Sequence, residues 1–146
     1  DVKEAYHKGL LNRDVIAVVR FQGPKANGMP ELHALTPILS NIQDMGFKVA
    51  LVTDGRMSGA SGKVPSAIHV TPEAVDGGTI SKIQDGDKIE IDANIGKLNL
   101  NEDFSNRKKC KLRKASNVGF GRNLFSLLRK NAISAESGAG LNLIND

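Results

Sequence analysis

Hydroxyl, guanidinium and ammonium groups are concentrated in one glycine-rich stretch of the chain, residues 53–63. The stretch reads Thr-Asp-Gly-Arg-Met-Ser-Gly-Ala-Ser-Gly-Lys and follows the apolar run Val-Ala-Leu-Val. Glycines let backbone N–H groups approach an anion closely, and successive N–H groups can form a concave nest around it. The stretch adds two cations and two hydroxyls: Arg56, Lys63, Ser58 and Ser61. It predicts either an anion-binding loop or a surface loop without a ligand, and composition alone leaves both open.

A second irregular segment, residues 22–31, carries another cation and a carboxylate. It reads Gln-Gly-Pro-Lys-Ala-Asn-Gly-Met-Pro-Glu, with Lys25 near its start and Glu31 at its end. Its glycines and prolines favour an irregular path. Pro30 followed by Glu31 also suits the first turn of a helix, where a carboxylate complements the positive end of the helix dipole.

Two strands are expected to position these segments. Residues 15–21 and 47–53 are apolar and rich in β-branched side chains, and the first is expected inside a sheet that is covered on both faces. A strand–helix–strand order makes the two strands parallel neighbours. Both polar segments then leave carboxyl ends of parallel strands, which is where open α/β sheets bind ligands.

The helix between the strands is expected over residues 30–45. Apolar side chains recur there at spacings of three and four residues, which predicts one apolar face. Gly46 is placed to end the helix. Pro37 indicates a kink, or a helix that begins nearer Thr36.

Smaller elements are expected in the second half of the chain. Residues 64–70 fit a short helix or a strand, and Thr71 fits the cap of a further helix. Three runs with alternating apolar and polar residues predict a half-exposed antiparallel β segment. These runs are residues 79–83, 88–92 and 97–100.

The ends of the chain complete the predicted organisation. A helix is expected from Arg122 to about Asn131, with leucines and a phenylalanine on one face. Residues 1–14 read as a polar lead-in, and residues 134–146 as a tail that frays. The 146 residues are enough for one domain with a core, so the whole chain, residues 1–146, is interpreted as a single domain.

Composition excludes several classes of protein. The sequence has no apolar run near the length of a membrane span, so no membrane association is expected. Its single cysteine, Cys110, cannot form an internal disulfide or by itself hold a metal cluster, and it favours a reducing, cytoplasmic setting. Aromatic residues make up 4% of the chain, which argues against base stacking as a way to bind nucleic acid.

Positive charge is nevertheless concentrated in one half of the chain. Residues 104–134 contain nine lysines and arginines and no aspartate or glutamate. This distribution suits a nucleic-acid-binding module, for which binding would fall steeply with salt. The same distribution also suits a solvated face or a face that meets an acidic partner. We favour these two interpretations because no nucleic-acid motif accompanies the charge.

Both polar segments resemble one enzyme family. Residues 18–32 and 51–65, which contain Gly-Met-Pro-Glu and Thr-Asp-Gly-Arg-Met-Ser-Gly, resemble the carboxyl-terminal domain of the dihydroxy-acid and sugar-acid dehydratases. The Pro-Glu-Ala and Asp-Gly-Asp patterns at 72–74 and 85–87 agree with this. Three further features look like the 6-phosphogluconate dehydratase branch of this family. They are the residues before Gly-Met-Pro-Glu, the run Ala-Ser-Gly-Lys-Val-Pro, and residues 119–125.

The resemblance implies a fold and a larger assembly. The fold would be α/β, a swivelling β/β/α domain with a mixed, partly closed β-barrel and flanking helices. The enzyme would be a cytoplasmic homodimer of about four times this length, with an amino-terminal domain that binds an iron–sulfur cluster of the 4Fe-4S kind. Cys110 lies outside the motifs and is not expected to ligate the cluster. The fragment alone is expected to be inactive.

The resemblance also implies a reaction and roles for residues. The enzyme would be a hydro-lyase of the Entner–Doudoroff pathway that dehydrates 6-phospho-D-gluconate to 2-dehydro-3-deoxy-6-phospho-D-gluconate. Glu31 matches a ligand of Mg²⁺, and Ser58 matches the serine proposed to take the proton from C2. Substrate-binding candidates for the phosphate or hydroxyls of the sugar acid are Lys25, Arg56, Ser61 and Lys63. Asp54 is expected to brace its loop.

Alternatives remain at this point. A dihydroxy acid or another sugar acid is an alternative substrate within the family. A basic nucleic-acid-binding module is an alternative from another class. A separate swivelling subunit that docks on a cluster-bearing partner chain is a third.

Overall fold

The computed structural model describes residues 2–57, 62–112, 119 and 124–142. Four helices and five strands are labelled here in chain order. The helices are α1 (Val2–His7), α2 (Pro24–Asn27), α3 (Thr36–Asp44) and α4 (Ser126–Lys130). The strands are β1 (Val15–Val19), β2 (Val49–Thr53), β3 (Ser66–Ala67), β4 (Ile89–Asp92) and β5 (Lys97–Leu100).

A three-stranded parallel sheet, with β2 in the centre, forms the frame of the domain. β1 pairs with β2 from Val15↔Val49 to Val19↔Thr53, and β3 pairs with the other side of β2. The parallel pairing of β1 and β2 was predicted from the strand–helix–strand order, and it is confirmed. Among the described strands β1 lies at the edge, so its predicted place inside the sheet is wrong, and β2 takes the centre with all five residues buried. Both faces of β1 are covered as predicted, with Val15 and Val19 packed on one core cluster and Ile16 and Val18 on the other.

The core lies on both faces of β2, because successive side chains of a strand point to opposite faces. Leu51 packs on the α3 side with Leu39 and Ile42, which are both fully buried. Val52 packs on the other side with Ile80 and Phe104. The domain therefore has two apolar layers separated by one short sheet.

Helix α3 begins at Thr36, the later of the two starts that Pro37 allows. Proline suits the first helical turn because its missing N–H has no helical partner there. Residues 33–35 form a separate 3₁₀ turn before it. Gly46 ends this region with a left-handed φ of 95°, as predicted, and donates its N–H to the Gln43 carbonyl.

A two-stranded antiparallel sheet confirms two of the three predicted alternating runs. β4 pairs with β5 from Ile89↔Leu100 to Asp92↔Lys97. The third run, predicted as a strand over 79–83, forms a 3₁₀ helix over Thr79–Lys82 instead. Ile80 and Ile83 are three residues apart and both are buried, so the apolar spacing matches the period of a 3₁₀ helix.

Two smaller expectations also differ from the structure, and a third is tested only in part. Thr71 does not cap the helical turn at Ala74–Asp76, because its hydroxyl donates to Glu136. The last helix was predicted over residues 122–131, and the structure shows α4 within that range, while residues 120–123 lie outside the described residues. The expected frayed tail is folded as far as Asn142: Ile133 N–H bonds the Gly140 carbonyl, and Asn142 N–H bonds the Asn131 carbonyl.

The architecture is thus mixed α/β, with one parallel and one antiparallel sheet. Within the described ranges these two sheets do not close into a barrel. No helix of the described residues is both long enough and apolar enough to cross a membrane.

Replacing Leu51 by alanine is predicted to destabilise the parallel sheet. Leu51 is 1% exposed, and removing a leucine from such a site costs about 2–5 kcal/mol, which is about 30-fold or more in an opening equilibrium. Hydrogen exchange of the 15–19 and 49–53 amides in the full-length protein measures this. Leu98→Ala, at a 37% exposed position on β5, is the matched control. Equal exchange in both variants would contradict the assigned core.

Candidate functional site at the carboxyl edge of the sheet

The two polar segments meet where β1 and β2 end. Glu31 and Arg56 form an isolated parallel bridge beyond the sheet. Leu32 N–H bonds the Arg56 carbonyl at 3.4 Å, and Arg56 Nε donates to the Met29 carbonyl at 2.7 Å. The predicted convergence of the two segments at one sheet edge is therefore present in the structure.

Asp54 holds the base of this edge. It is fully buried at the end of β2, and its two carboxylate oxygens accept three backbone N–H groups. The donors are Phe21 at 3.0 Å, Gln22 at 2.9 Å and Ala74 at 2.9 Å. The expected bracing role of Asp54 is confirmed, and it joins the β1 end, the β2 end and the turn after β3.

The neighbours of Asp54 in the Thr-Asp-Gly motif are also explained by structure. The buried Thr53 hydroxyl accepts the Gly55 N–H at 2.9 Å. A Cβ on Gly55 would lie 2.6 Å from Gln22 Cβ and 2.9 Å from the Gln22 carbonyl, so only glycine lets the two segments approach this closely. The first half of the motif is therefore scaffolding, and Arg56 is the first residue whose side chain reaches solvent.

A second buried carboxylate, Glu73, holds the other segment. It is 2% exposed and accepts the N–H groups of Lys25 and Ala26, both at 3.2 Å, at the start of α2. A Cβ on Gly23 would lie 2.3 Å from Glu73 Oε2, so glycine is required for this contact. Sequence reasoning gave Glu73 no such role, and its only signal was the family-like Pro-Glu-Ala pattern.

Burial raises the pKa of Glu73, because a charged carboxylate loses its hydration there. The N–H groups of Lys25 and Ala26 act in the opposite direction, since they stabilise the charged form. The nearby Asp76 and Asp54 carboxylates add smaller upward contributions. The net effect is a raised pKa for the Glu73 carboxyl.

Helix α2 ends in two consecutive left-handed residues that direct the Gly-Met-Pro-Glu segment. Gly28 has φ 71° and donates its N–H to the Pro24 carbonyl, and Met29 has φ 53°. The left-handed region is costly for a side chain such as methionine, by about 1 kcal/mol or more. The surrounding bonds hold Met29 there, and its carbonyl receives the Arg56 guanidinium.

Glu31 has the chemistry expected of one ligand to a hard cation. Its carboxylate is exposed, and in the described part of the chain it forms no ion pair with Arg56 or any other cation. One carboxylate suits Mg²⁺, which takes few protein ligands and keeps several waters. Among the described residues, no group of three or more His, Cys, Asp or Glu side chains could hold a metal ion.

The other predicted site residues lie at different edges of the sheet or outside the described residues. Lys25 lies on α2 near this edge, where its ammonium group is 2.7 Å from Asp76. Lys63 pairs with Asp44 at the end of α3 and lines a cavity with Val15 and Val49, the first residues of β1 and β2. The structure therefore puts Lys63 at the amino edge and does not bring it to Glu31. Ser58 and Ser61 lie outside the described residues.

One arginine of the basic stretch 104–134 makes contacts within the domain. Arg107 forms ion pairs with Asp87 at 2.6 Å and with Glu102 at 2.8 Å, and it stacks over the Phe104 ring. Its guanidinium group lowers the pKa of Asp87 by hydrogen bonding to the charged form. Cys110 is exposed and forms no disulfide. Residues 113–118 of the run lie outside the described ones.

Comparison with known proteins agrees with the resemblance of the motifs. The family model described as dihydroxy-acid/6-phosphogluconate dehydratase C-terminal matches residues 1–139. The chain is 57% identical over 141 residues to a phosphogluconate dehydratase of Zymomonas mobilis, covering 95% of this chain and 23% of that protein. It is 56% identical over 143 residues to the Escherichia coli K12 phosphogluconate dehydratase, covering 95% and 24%.

A relative that is named for a different substrate shares a lower sequence identity with this chain. Identity to a dihydroxy-acid dehydratase of Ruminiclostridium cellulolyticum is 40% over 110 residues, covering 72% of this chain and 19% of that protein. The chain spans about a quarter of the length of the phosphogluconate dehydratases it matches.

Replacing Glu73 by glutamine is predicted to change how stability depends on pH. A raised pKa means that the folded protein holds this proton more tightly than the unfolded chain does. The resulting stabilisation is present below the ordinary value of 4.5 and is lost as pH rises through the raised pKa. Glutamine does not titrate, so the wild-type free energy of unfolding should fall relative to that of the variant as pH rises from 4.5.

Urea unfolding of the full-length proteins at a series of pH values measures this difference. Glu90→Gln, at an exposed position on β4, is the matched control for the loss of one carboxylate. A wild-type advantage over Glu73→Gln that grows with pH over this range would show that burial does not control the Glu73 carboxyl.

Proposed function

The chain belongs to the dihydroxy-acid/6-phosphogluconate dehydratase family as its C-terminal domain, and we propose that it is part of a 6-phosphogluconate dehydratase. The reaction would remove water from 6-phospho-D-gluconate and give 2-dehydro-3-deoxy-6-phospho-D-gluconate. The observation that carries the proposal is the higher identity to named phosphogluconate dehydratases than to the named dihydroxy-acid dehydratase. The convergence of Glu31 and Arg56 at one sheet edge supports a binding site there.

The rest of the enzyme would complete both the fold and the cofactor set. We propose that the two sheets are parts of a swivelling β/β/α domain, which the mixture of parallel and antiparallel strands supports. An amino-terminal domain would hold the iron–sulfur cluster, because this chain has one cysteine and that cysteine is exposed. A cytoplasmic homodimer is part of the same proposal, and the low cysteine content is in keeping with a reducing compartment.

Two features of the substrate make this reaction difficult. The C2 proton is only weakly acidic, and the C3 hydroxyl is a poor leaving group. An enzyme must therefore stabilise the negative charge that develops at the carboxylate end while the proton leaves. Mg²⁺ supplies Lewis-acid stabilisation of that charge when it is bound.

Glu31 would hold Mg²⁺ through its exposed carboxylate. Arg56 lies beside it, and only its Nε is occupied, by the Met29 carbonyl, among the described contacts. The terminal nitrogens of Arg56 would bind the anionic substrate or stabilise a neighbouring alkoxide.

Ser58 would take the proton from C2. It follows Arg56 by two positions in the chain, within the glycine-rich stretch. A serine hydroxyl is too weakly acidic to act as a base unless a nearby positive charge and N–H donors stabilise its oxyanion. Arg56 and the glycine-rich backbone are the groups of this chain proposed to do that. Ser61 remains a proposed substrate ligand, whereas Lys63 pairs with Asp44 at the amino edge of the sheet.

Replacing Ser58 by alanine is predicted to lower kcat of the full-length enzyme by about 10²–10⁴-fold, since a general base is lost. Metal content and folding should not change, because alanine only removes a hydroxyl. Product formation measures kcat, metal analysis measures the metal content, and circular dichroism measures folding. Ser105→Ala, at an exposed serine, is the control. Substantial turnover in Ser58→Ala would remove Ser58 from this role.

Replacing Glu31 by glutamine is predicted to weaken the affinity for a divalent ion at least tenfold, about the lower limit for changes around a metal site. The amide keeps the side-chain length but loses the charge that attracts the ion. Mn²⁺ binding followed by electron paramagnetic resonance gives a readout independent of activity. Glu90→Gln serves as the control. Unchanged Mn²⁺ affinity in Glu31→Gln would show that Glu31 is not a ligand.

A further inference from the structure

Large apolar side chains are exposed on and around α4. Four of them lie within five consecutive residues, and a fifth belongs to the tail: Leu124, Phe125, Leu127, Leu128 and Leu141. We call these five residues the α4 surface. Other large apolar side chains that are exposed among the described residues are spread from Leu10 to Leu112. Exposed apolar residues that are scattered singly need no explanation, whereas a cluster of them marks a surface that another protein surface covers.

Backbone hydrogen bonds hold the tail against α4 and so complete this surface. Ala132 and Leu141 form an isolated antiparallel bridge. Next to it, the Asn142 N–H donates to the Asn131 carbonyl at 2.8 Å. These bonds fold the tail back onto the end of α4, which places Leu141 beside the helix.

The α4 surface is continuous with the Gly-Met-Pro-Glu segment. A cavity of about 420 Å³ is lined by Phe125, Leu128 and Leu141 together with Met29. Its lining side chains are apolar except for Asn27 and Arg129, so it suits an apolar side chain of another protein segment better than a polar sugar acid. Glu31 follows Met29 by two positions. A segment that covers the α4 surface would therefore also border the candidate site.

Positive charge borders the α4 surface. Lys130, the last residue of α4, is exposed, and α4 contains no carboxylate. The longer stretch 104–134 has nine lysines and arginines and no aspartate or glutamate. A partner surface with an apolar centre and an acidic rim complements this arrangement, because apolar burial drives association and opposite charges fix the orientation.

The length of the relatives indicates the rest of the same enzyme as the occupant. The chain spans 23–24% of the phosphogluconate dehydratases it matches, so most of such an enzyme is available to cover an apolar face. Under the proposed function, the amino-terminal domain acts on the same sugar acid as Glu31. That domain must then approach the Glu31 segment to within the length of one small molecule, and the α4 surface adjoins this segment.

We propose that the α4 surface is where this domain docks on the amino-terminal, cluster-bearing domain of the same chain. The nature of that domain rests on the proposed function, whereas the surface rests on the exposed side chains themselves. Phe125 and Leu127 supply the apolar centre of the contact, and Lys130 meets a carboxylate at its rim. The basic stretch thereby serves as a face that meets an acidic partner.

Hydroxyl-radical footprinting of the full-length enzyme, read by mass spectrometry, measures whether the α4 surface is covered. Leu127 should be oxidised at least about fivefold more slowly in the native protein than in urea, because the centre of an interface excludes water. Leu127 is 62% exposed in this domain, and Ile95, 69% exposed between β4 and β5, is the control that should react similarly in both states. Equal native and unfolded rates for Leu127 would overturn the proposal.

The variant Leu127→Asp should open the contact in the full-length enzyme. A carboxylate buried without a partner is costly, so oxidation of the neighbouring Phe125 should become at least about threefold faster. The domain itself should stay folded, since Leu127 is exposed within it, and hydrogen exchange of the 49–53 amides checks this. Ile95→Asp is the matched control. A Phe125 rate that is the same in Leu127→Asp as in wild type would contradict the docking.

Carbodiimide cross-linking identifies the occupant. Unlabelled and heavy-nitrogen-labelled full-length chains are mixed, and peptides joined to Lys130 are sequenced. Docking on the same chain predicts that Lys130 joins a carboxylate of the amino-terminal domain in peptide pairs of one isotope. Pairs of mixed isotope would assign the α4 surface to a second copy, and pairs confined to residues 1–146 would assign it to this domain. Either result would overturn the proposal.

These outcomes are separate from those of the proposed function, because none of the three measurements uses a substrate. A protected Leu127 in an enzyme that does not dehydrate 6-phosphogluconate would overturn only the proposed function. A freely oxidised Leu127 in an enzyme that does dehydrate it would overturn only the docking surface.

Discussion

Two buried carboxylates determine the geometry of the carboxyl edge. Asp54 and Glu73 together accept five backbone N–H groups from segments that are distant in sequence. Burying a carboxylate is costly, and bonds from several N–H groups offset that cost while fixing where each donor lies. Each such bond to a charged group contributes about 1.5–3 kcal/mol, so loss of either carboxylate would release several loops at once. The segments that carry Glu31 and Arg56 are therefore held in place by these two acids.

Much of the fold was predictable from local sequence patterns. The β-branched runs, the helical spacing between them and the later alternation predicted the parallel pair, α3 and the β4–β5 hairpin. The 79–83 run was misassigned because five residues with Ile80 and Ile83 fit either a strand or a 3₁₀ turn. The choice was made by tertiary packing: Ile80, Ile83 and Phe104 share a core layer. Short runs carry too little periodic signal to predict such packing.

The site was predictable where it depends on strand order and not where it depends on distant contacts. A strand–helix–strand unit brings the carboxyl ends of β1 and β2 to one edge of the sheet, so the two polar segments were expected there. Lys63 was grouped with them only because it shares a loop with Arg56, and its salt bridge to Asp44 lies at the other edge.

The bridge between residues 31 and 56 also makes the two polar segments one mechanical unit. Leu32 is bonded to the Arg56 carbonyl, and the Arg56 side chain is bonded to the Met29 carbonyl, so the segments are fastened at two points. A shift of either backbone is transmitted to the other instead of opening a gap between them. The Glu31 carboxylate and the Arg56 guanidinium would therefore shift together if either segment moved.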